Sequence, residues 1–423
     1  MNTSHGLGLL GMVRRSLRQH ALSTAVTVLS TALASGLAMA VFGISEQAYN
    51  AFTGGQTGFD AVLGARGSQL QLVLNTVFHL ETSPGNIPWS YYKAIASDPR
   101  VRLAIPYAVG DNYLGYRLVG TTEELFTKFE YQKGKHFHVH NGERFFDPEK
   151  KEAVVGSYVS QKTGLHTGSI FHPYHGLNYD PAMQHEEEYL VTGVLEPTNS
   201  PSDRVIWIPI EGIYRMKGHV LRGAGREYAA QDGIAIPDAD KEVSAVMLKF
   251  NSPQAGFMLD QTINKQGKVA TLAWPIALVM AELFNKIGWM SRILTLVAYL
   301  VMIVAGASIL ASIYNSINER KRDFAILRAL GARRRTLFAV ILGEACAMAA
   351  LGSLFGLLVY AGLTAGAGVI IRAQTGVVLD VLHWHWALVL VPLGMIVIGG
   401  IAGIIPAMKG YKTDVASNLT PLS

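Results

Sequence analysis

Three stretches of the chain concentrate side chains able to ligate a metal ion. The pentapeptide HFHVH places His136, His138 and His140 at alternate positions. On a strand, where side chains repeat every two residues, all three rings would project from one face toward a shared ion. His172 and His175 follow in HPYH, and His185 opens the acidic run HEEE. Imidazole suits zinc, copper and nickel, and a structural zinc site takes about four ligands in tetrahedral array. No spacing among these six histidines is a recognised metal signature, and solvent-exposed loop histidines without a ligand would give the same pattern. Zinc is therefore a candidate cofactor and nothing firmer. Other chemistry is sparse: no nucleophile stands near a matching base, and no G-x-x-x-x-G-K-[ST] phosphate loop is present. The chain is not expected to be an enzyme.

The elements that would carry these residues divide sharply between oily and soluble. The 423 residues are 50% hydrophobic and only 16% charged, a balance that leans toward membrane proteins. Ala21–Ile44, Ile293–Ile317 and Trp386–Met408 hold no charged residue, and Thr336–Ile371 holds only Glu344. Each exceeds the ~18 residues that mark a spanning helix. Arg14, Arg15 and Arg18 precede the first run, and Ala38-Met39-Ala40 resembles a signal-peptidase site. The run is longer than the ~7–15 residues of a secretory apolar core, so an uncleaved anchor is expected. The expected organisation is a cytoplasmic amphipathic segment (1–20), a first span (21–44), a large outer domain with a stalk (45–290), a second span (291–317), a cytoplasmic basic segment (318–335), a third span (336–371), an outer loop (372–385), a fourth span (386–408) and a cytoplasmic tail (409–423).

Charge sets the orientation, because cytoplasmic loops carry excess Lys and Arg. With the N-terminus inside, Arg14, Arg15, Arg18, seven bases of 320–335, Lys409 and Lys412 face the cytoplasm, against Glu319, Asp323 and Asp414. The short outer loop between the third and fourth spans holds one base, Arg372. The net charge of +5 thus reflects membrane orientation and gives no reason to expect nucleic acid. The single cysteine, Cys346, falls inside the third span, so the outer domain must be stable without a disulfide.

The outer domain reads as mixed α and β, largely antiparallel. Strands are expected at Val101–Tyr107, Tyr113–Val119, Glu152–Val155, Tyr189–Val194, Val205–Ile208 and Val243–Phe250. Helices are expected at Gln69–Phe78, Ser90–Ser97 and Tyr158–Thr163, the last stopped by Gly164. Val269–Ala281 is apolar but short and interrupted by Pro275, which suits a buried strand; from Ile276 a helical pattern runs into the second span.

Residues 315–338, NSINERKRDFAILRALGARRRTLF, crowd seven bases around an apolar centre. At 3.6 residues per turn Phe324, Leu327 and Leu330 share one side, with Ile326 beside them, and Gly331 is placed to stop the helix. Charges alone would fix topology and rest on anionic membrane lipid. The apolar stripe additionally calls for a groove, as in a helix docking on a cytoplasmic partner.

ERKRDFAILRALGARRRTLF closely resembles the signature of the MacB/FtsX/LolC-type permeases of ABC transporters, the type VII or mechanotransmission class. Glu319, Arg320, Phe324, Ala325, Leu327, Arg328, Ala329, Gly331, Ala332 and Glu344 match that pattern; Asp323 stands where glutamate is usual and Arg333 where serine is common. RRSLRQHALSTAVTVLSTALASG is similar to the family's N-terminal helix and first span, and EAVVGSYVSQKTGLHTGSIF to its outer domain. Thr167-Gly168-Ser169 departs from the usual Val-Gly-Asp, and the tail matches weakly, at Pro406, Ala407 and Leu419. The resemblance implies four membrane helices with a mixed α+β extracytoplasmic domain between the first and second, in a bacterial inner membrane. It implies that 319–332 docks on an ABC ATPase subunit that holds the ATP and magnesium. It also implies a dimer with a second or related permease copy, and motion of the outer domain in response, with a periplasmic protein or lipoprotein as a candidate outer partner.

Three glycine pairs, Gly352 and Gly356, Gly362 and Gly366, and Gly399 and Gly403, place small residues four apart, suited to helix packing within one chain or across a dimer. Glu344 falls about 12 Å into the third span, where a carboxylate must face protein or water. The leading expectation is a permease that couples ATP use elsewhere to export, extraction or activation of an envelope substrate. A metal-handling permease using the histidines is one alternative. A non-transporting membrane-anchored sensor is another, although 409–423 is too short for a signalling module.

Overall fold

The structure, a computed structural model, describes residues 4–53, 58–140, 143–216 and 236–411. It divides into two units. One comprises residues 1–47, 287–369 and 379–423, the other 48–286 together with 370–378. The tail positions Lys412, Asp414 and Leu419 lie outside the described residues.

The membrane unit is helical. Helix α1 (Ser4–Gln19) leads into α2 (Ala21–Thr53). Much later come α9 (Ile276–Glu319), α10 (Lys321–Ala329), α11 (Arg334–Thr375) and α12 (Ala387–Tyr411). α2, α9, α11 and α12 are each long and apolar enough to cross a bilayer. They run past the apolar stretches because a helix whose backbone is already paired continues until solvent or a breaker ends it. Small residues let them approach: a side chain at Gly36 would collide with Val359 and the Gly356 carbonyl, and one at Gly352 with Thr31. Ala34, Ala38, Met39, Ala298, Ala305 and Met395 fill one interior cluster. Outward, Leu300, Ile303, Val304, Leu358, Val397 and Ile401 are exposed, an apolar rim suited to lipid.

The outer unit is a sheet buried on both faces. Its strands are β1 (Ala61–Ala65), β2 (Ile87–Pro88), β3 (Val101–Tyr113), β4 (Tyr116–Thr121), β5 (Glu152–Val155), β6 (Ile170–Phe171), β7 (Tyr174–His175), β8 (Tyr189–Val194), β9 (Val205–Pro209), β10 (Glu242–Val243), β11 (Ala245–Phe250) and β12 (Ala270–Ala273). The main sheet runs β12-β1-β11-β3-β4-β9-β5-β8-β6, with β7 also on β3. β4–β9 and β5–β8 are parallel and the other pairs antiparallel.

Alternate residues feed two cores, as the two-residue strand period requires. Ala61, Leu63, Leu118, Ala153, Val155, Ile206, Ile208, Val246 and Leu248 face one side. Val62, Val119, Val154, Trp207, Ala245 and Met247 face the other. Helices α4 (Trp89–Ala96), α6 (Ser157–Thr163), α7 (Ile210–Arg215) and α8 (Pro253–Asp260) cover the first face. The second is covered by α3 (Gln69–Thr76), α5 (Glu124–Thr127) and the first turns of α9. Gly164 ends α6 at φ +79, the left-handed geometry that glycine adopts without a Cβ clash.

Three local expectations need correction. A strand over Tyr113–Val119 is instead cut by a two-residue hairpin turn, with Leu114 at φ 50 and Gly115 at φ 85. The Asn112 side chain accepts the Gly115 amide and sets the turn; the apolar Leu114 disguised it. Val243–Phe250 is broken at Ser244, whose hydroxyl donates to Asn86 and accepts from the Val109 amide. Residues 136–140 are not a strand: only Val139 bridges, to Leu195. Their alternation comes from Phe137 being buried while His138 and His140 are exposed.

His79 caps the second core edge-on to Trp207, at a ring separation of 5.9 Å. Burial, aided by Arg117 and Arg204, pulls its pKa from 6.5 down to about 3. In the unfolded chain His79 takes up a proton below pH 6.5; in the fold it does not until about pH 3. Its contribution to stability is therefore complete above pH 6.5 and is lost progressively as the pH falls toward 3. His79→Asn, which tolerates the backbone φ of 56, is expected to flatten this dependence by on the order of 1–2 kcal/mol between neutral pH and pH 5. Denaturant midpoints of both proteins at the two pH values check this; parallel shifts would contradict it.

Candidate functional site

The basic segment folds as α10, separated from α9 by Arg320, whose backbone leaves the helical region at φ −104, ψ 13. Arg320 turns its guanidinium inward. Nη1 donates to Glu344 Oε1 at 3.1 Å and to the Ser16 hydroxyl, and the group lies 5.0 Å from the Phe324 ring centre. One side chain thus ties together α1, α10 and α11. Both members of the ion pair are largely screened from solvent, with side chains 14% and 6% exposed. Glu344 therefore serves as the buried counter-charge of Arg320. Nearby, His20 Nδ1 stands 3.2 Å from Glu319. A cavity of about 40 Å³ lined by Ser16, His20, Ser312, Asn315, Glu319 and Glu344 lies beside the pair, with polar walls and room for water.

The apolar stripe of α10 splits in two. Phe324 and Ala325 are buried, Phe324 in a cluster with Ile313, Ile317, Leu337, Ile341 and Met348. Burying that phenylalanine contributes roughly 1.5–3 kcal/mol to holding α10 in place. Leu327 and Arg328 are half-buried, while Asp323, Ile326 and Ala329 are exposed and Leu330 is 80% exposed. Gly331 sits at φ +96. Its amide donates to Arg328 and the Ala332 amide to Leu327, the paired bonds of a Schellman ending. Leu-Arg-Ala-Leu-Gly-Ala is therefore a helix end whose terminal carbonyls are satisfied, leaving Leu330 pointing outward at the stop.

The glycine pairs differ. Gly352 and Gly356 meet Thr31 and Ser35 of α2, and Gly399 and Gly403 meet Ala349 and Ala345 of α11. Among the described residues, Gly362 and Gly366 meet nothing within 4 Å.

The histidines separate as well. His136 Nδ1 bonds the Phe129 carbonyl, and His172 lies 3.6 Å from Glu188. His138 and His140 are exposed. Only His175 and His185 come together, each 3.4 Å from Asp111 Oδ1. Contact with Asp111 raises the His175 pKa above its ordinary value. Asp111 lies more than sixty positions earlier, on β3, with no motif that links it to the histidines.

A further missed feature is the end of α11. Residues 370–378 belong to the outer unit. The Arg204 guanidinium donates to the Gln374 carbonyl, Arg372 lies 5.5 Å from the Tyr158 ring centre, and Gly376 packs against Ser200 and Pro201. In the sequence Arg372 stands out only as the one base of an outer loop.

This arrangement of spanning helices, α10 and a two-faced sheet domain agrees with comparison to known proteins. The profile for the MacB-like periplasmic core domain matches residues 24–254, and that for the FtsX-like permease C-terminal region matches 295–415. The chain belongs to the MacB/FtsX-type ABC transporter permeases, membrane proteins with an extracytoplasmic domain.

Among relatives, the macrolide export ATP-binding/permease protein MacB of Nitrobacter winogradskyi is 30% identical over 229 residues, covering 53% of this chain and 32% of that protein. The pyoverdine export ATP-binding/permease protein PvdT of Pseudomonas fluorescens is 26% identical, covering 45% and 26%. The chain thus spans about a third or less of the length of these relatives. The periplasmic region of MacB from Actinobacillus actinomycetemcomitans aligns at a TM-score of 0.34 and 11% identity, covering 54% of this chain and 94% of that one.

Removing one member of a buried ion pair strands its partner at a cost of about 3–5 kcal/mol. Glu344→Ala and Arg320→Ala are each expected to lower the melting temperature of the detergent-solubilised protein. The double variant should lose clearly less than the two losses added together. Strict additivity would show that the pair is not coupled.

Proposed function

We propose that this chain is the permease subunit through which an ABC ATPase, supplied outside residues 1–423, moves the extracytoplasmic domain. An envelope substrate would thereby be exported, extracted or activated without passing along a central pore. The observation that carries this reading is the divided stripe of α10. One half, Phe324 and Ala325, is anchored in the permease, while Ile326 and Leu330 stay uncovered on a basic helix. In water such a surface gains by being covered, and the excess of bases around it supports a cytoplasmic position. Glu319, Asp323, Ala329, Gly331 and Ala332 frame that surface. Arg320, Phe324, Ala325, Leu327 and Glu344 join it to the membrane helices.

Two continuous helices support the outward half of the reading. α9 begins among outer-domain residues and ends one residue before α10. α11 starts soon after α10, and its last residues belong to the outer unit. A push on α10 would therefore reach residues of the outer domain along hydrogen-bonded helix rather than loop. A second permease copy completes the proposal. Gly362 and Gly366 offer a seam that this chain leaves open, whereas the other two pairs serve packing within it.

Leu330→Asp and Arg328→Glu are each expected to reduce the ATPase recovered with tagged permease by about tenfold, the effect of ~1.4 kcal/mol. Leu330 is exposed, so the first should leave the permease's own melting temperature unchanged. Equal recovery with both variants would place the contact elsewhere. For the seam, cysteines at 362 or 366 in a Cys346→Ser background should crosslink two copies in membranes. Failure at both positions would remove that face from the dimer.

A further inference from the structure

One carboxylate and two imidazoles converge on the outer domain. Asp111 follows a bulge in β3 and stands opposite His175 of β7 in the antiparallel register. His185 is carried in by the neighbouring bridge between Tyr174 and Gln184 and by its amide, which donates to the Pro173 carbonyl at 2.8 Å. Asn112 fastens the intervening loop, its amide donating to the carbonyls of Gly176 and Asn178 at 2.9 and 3.2 Å. Backbone pairing thus holds the arrangement together with the contacts among the three side chains.

The distances suit a bound ion as well as the long hydrogen bond between His185 and Asp111. His175 Nδ1 and His185 Nε2 are each 3.4 Å from Asp111 Oδ1, and all three ligand atoms lie within 4.8 Å of one another. At 3.4 Å the His185–Asp111 hydrogen bond is longer than the usual ~2.7–3.2 Å. The two His–Asp separations match the edge of a tetrahedron with bonds of about 2.0–2.1 Å, which is roughly 3.3–3.4 Å. Asp111 is fully buried and His185 nearly so, whereas His175 is half-buried and opens the site to solvent. The other nitrogen of His185 faces Glu187 at 3.9 Å, the carboxylate–histidine relation that orients a ligating ring.

We propose that Asp111, His175 and His185 bind one divalent transition-metal ion on the extracytoplasmic domain, two imidazoles and a carboxylate matching zinc best. The ion pins the excursion 170–188, which carries β6 and β7, to the centre of the sheet. His136, His138, His140 and His172 take no part. This assignment is independent of the coupling proposed for α10.

The test uses the intact chain in detergent, without a histidine tag, stripped with EDTA and dialysed against zinc chloride. Metal analysis should find one zinc per chain, with a rise in melting temperature. His175→Gln, a change at a half-buried position, should weaken uptake by at least about tenfold, and Asp111→Asn should do the same. The double variant His138→Gln/His140→Gln should bind as the parent does. No stoichiometric uptake at millimolar zinc, uptake unchanged by His175→Gln, or equal loss in the double variant would each overturn the assignment. None of these readouts involves the ATPase, so failure here leaves the coupling reading untouched.

Discussion

A guanidinium and a carboxylate removed from water must find each other or a substitute, and much of the membrane unit is arranged so that Arg320 and Glu344 do. The requirement fixes the rotation of α11 about its axis, since Glu344 can face only one way. It coincides with the end of α9, where Arg320 leaves helical geometry and turns inward. It brings α1 into the same cluster through Ser16. Once the pair is formed, Phe324 is drawn under the guanidinium, and the exposed side of α10 follows from what remains. The pair's worth lies in geometry more than in net stability, because desolvating two charges cancels much of their attraction.

The outer domain depends on a different constraint. A sheet buried on both faces needs two cores, and short strands supply them by sending alternate residues each way. This accounts for runs such as VIWI and AVML, in which no position is polar. It also accounts for a domain that holds together without a disulfide: apolar area on two faces replaces the covalent staple that small extracellular domains need.

The membrane spans could be read from sequence because a bilayer accepts only long apolar helices, a requirement that leaves little ambiguity. Strands β5, β8 and β9 were equally plain, being short apolar runs bounded by turn residues. The hairpin at Leu114-Gly115 was not, because its turn carries an apolar residue at positive φ and takes its support from Asn112. The same limit explains the histidines. HFHVH drew attention through its spacing, yet its alternation records Phe137 packing inward. The pair that converges, His175 and His185, depends on Asp111, and only the register of β7 on β3 brings that residue near. At α10, sequence periodicity identified an apolar stripe but could not divide it. Which half is covered is decided by α9 and α11, through residues such as Ile313 and Ile341 that are unremarkable in sequence.

The ends of the main sheet have a bearing on how other molecules can engage this domain. β12 has four residues and β6 only two, so neither border offers the length of unpaired backbone on which a foreign strand could zip up. Short borders of this kind protect against fibrous self-association. They also mean that an extracytoplasmic companion must recognise side chains on loops and helices, a surface that can diverge between relatives without disturbing the scaffold beneath.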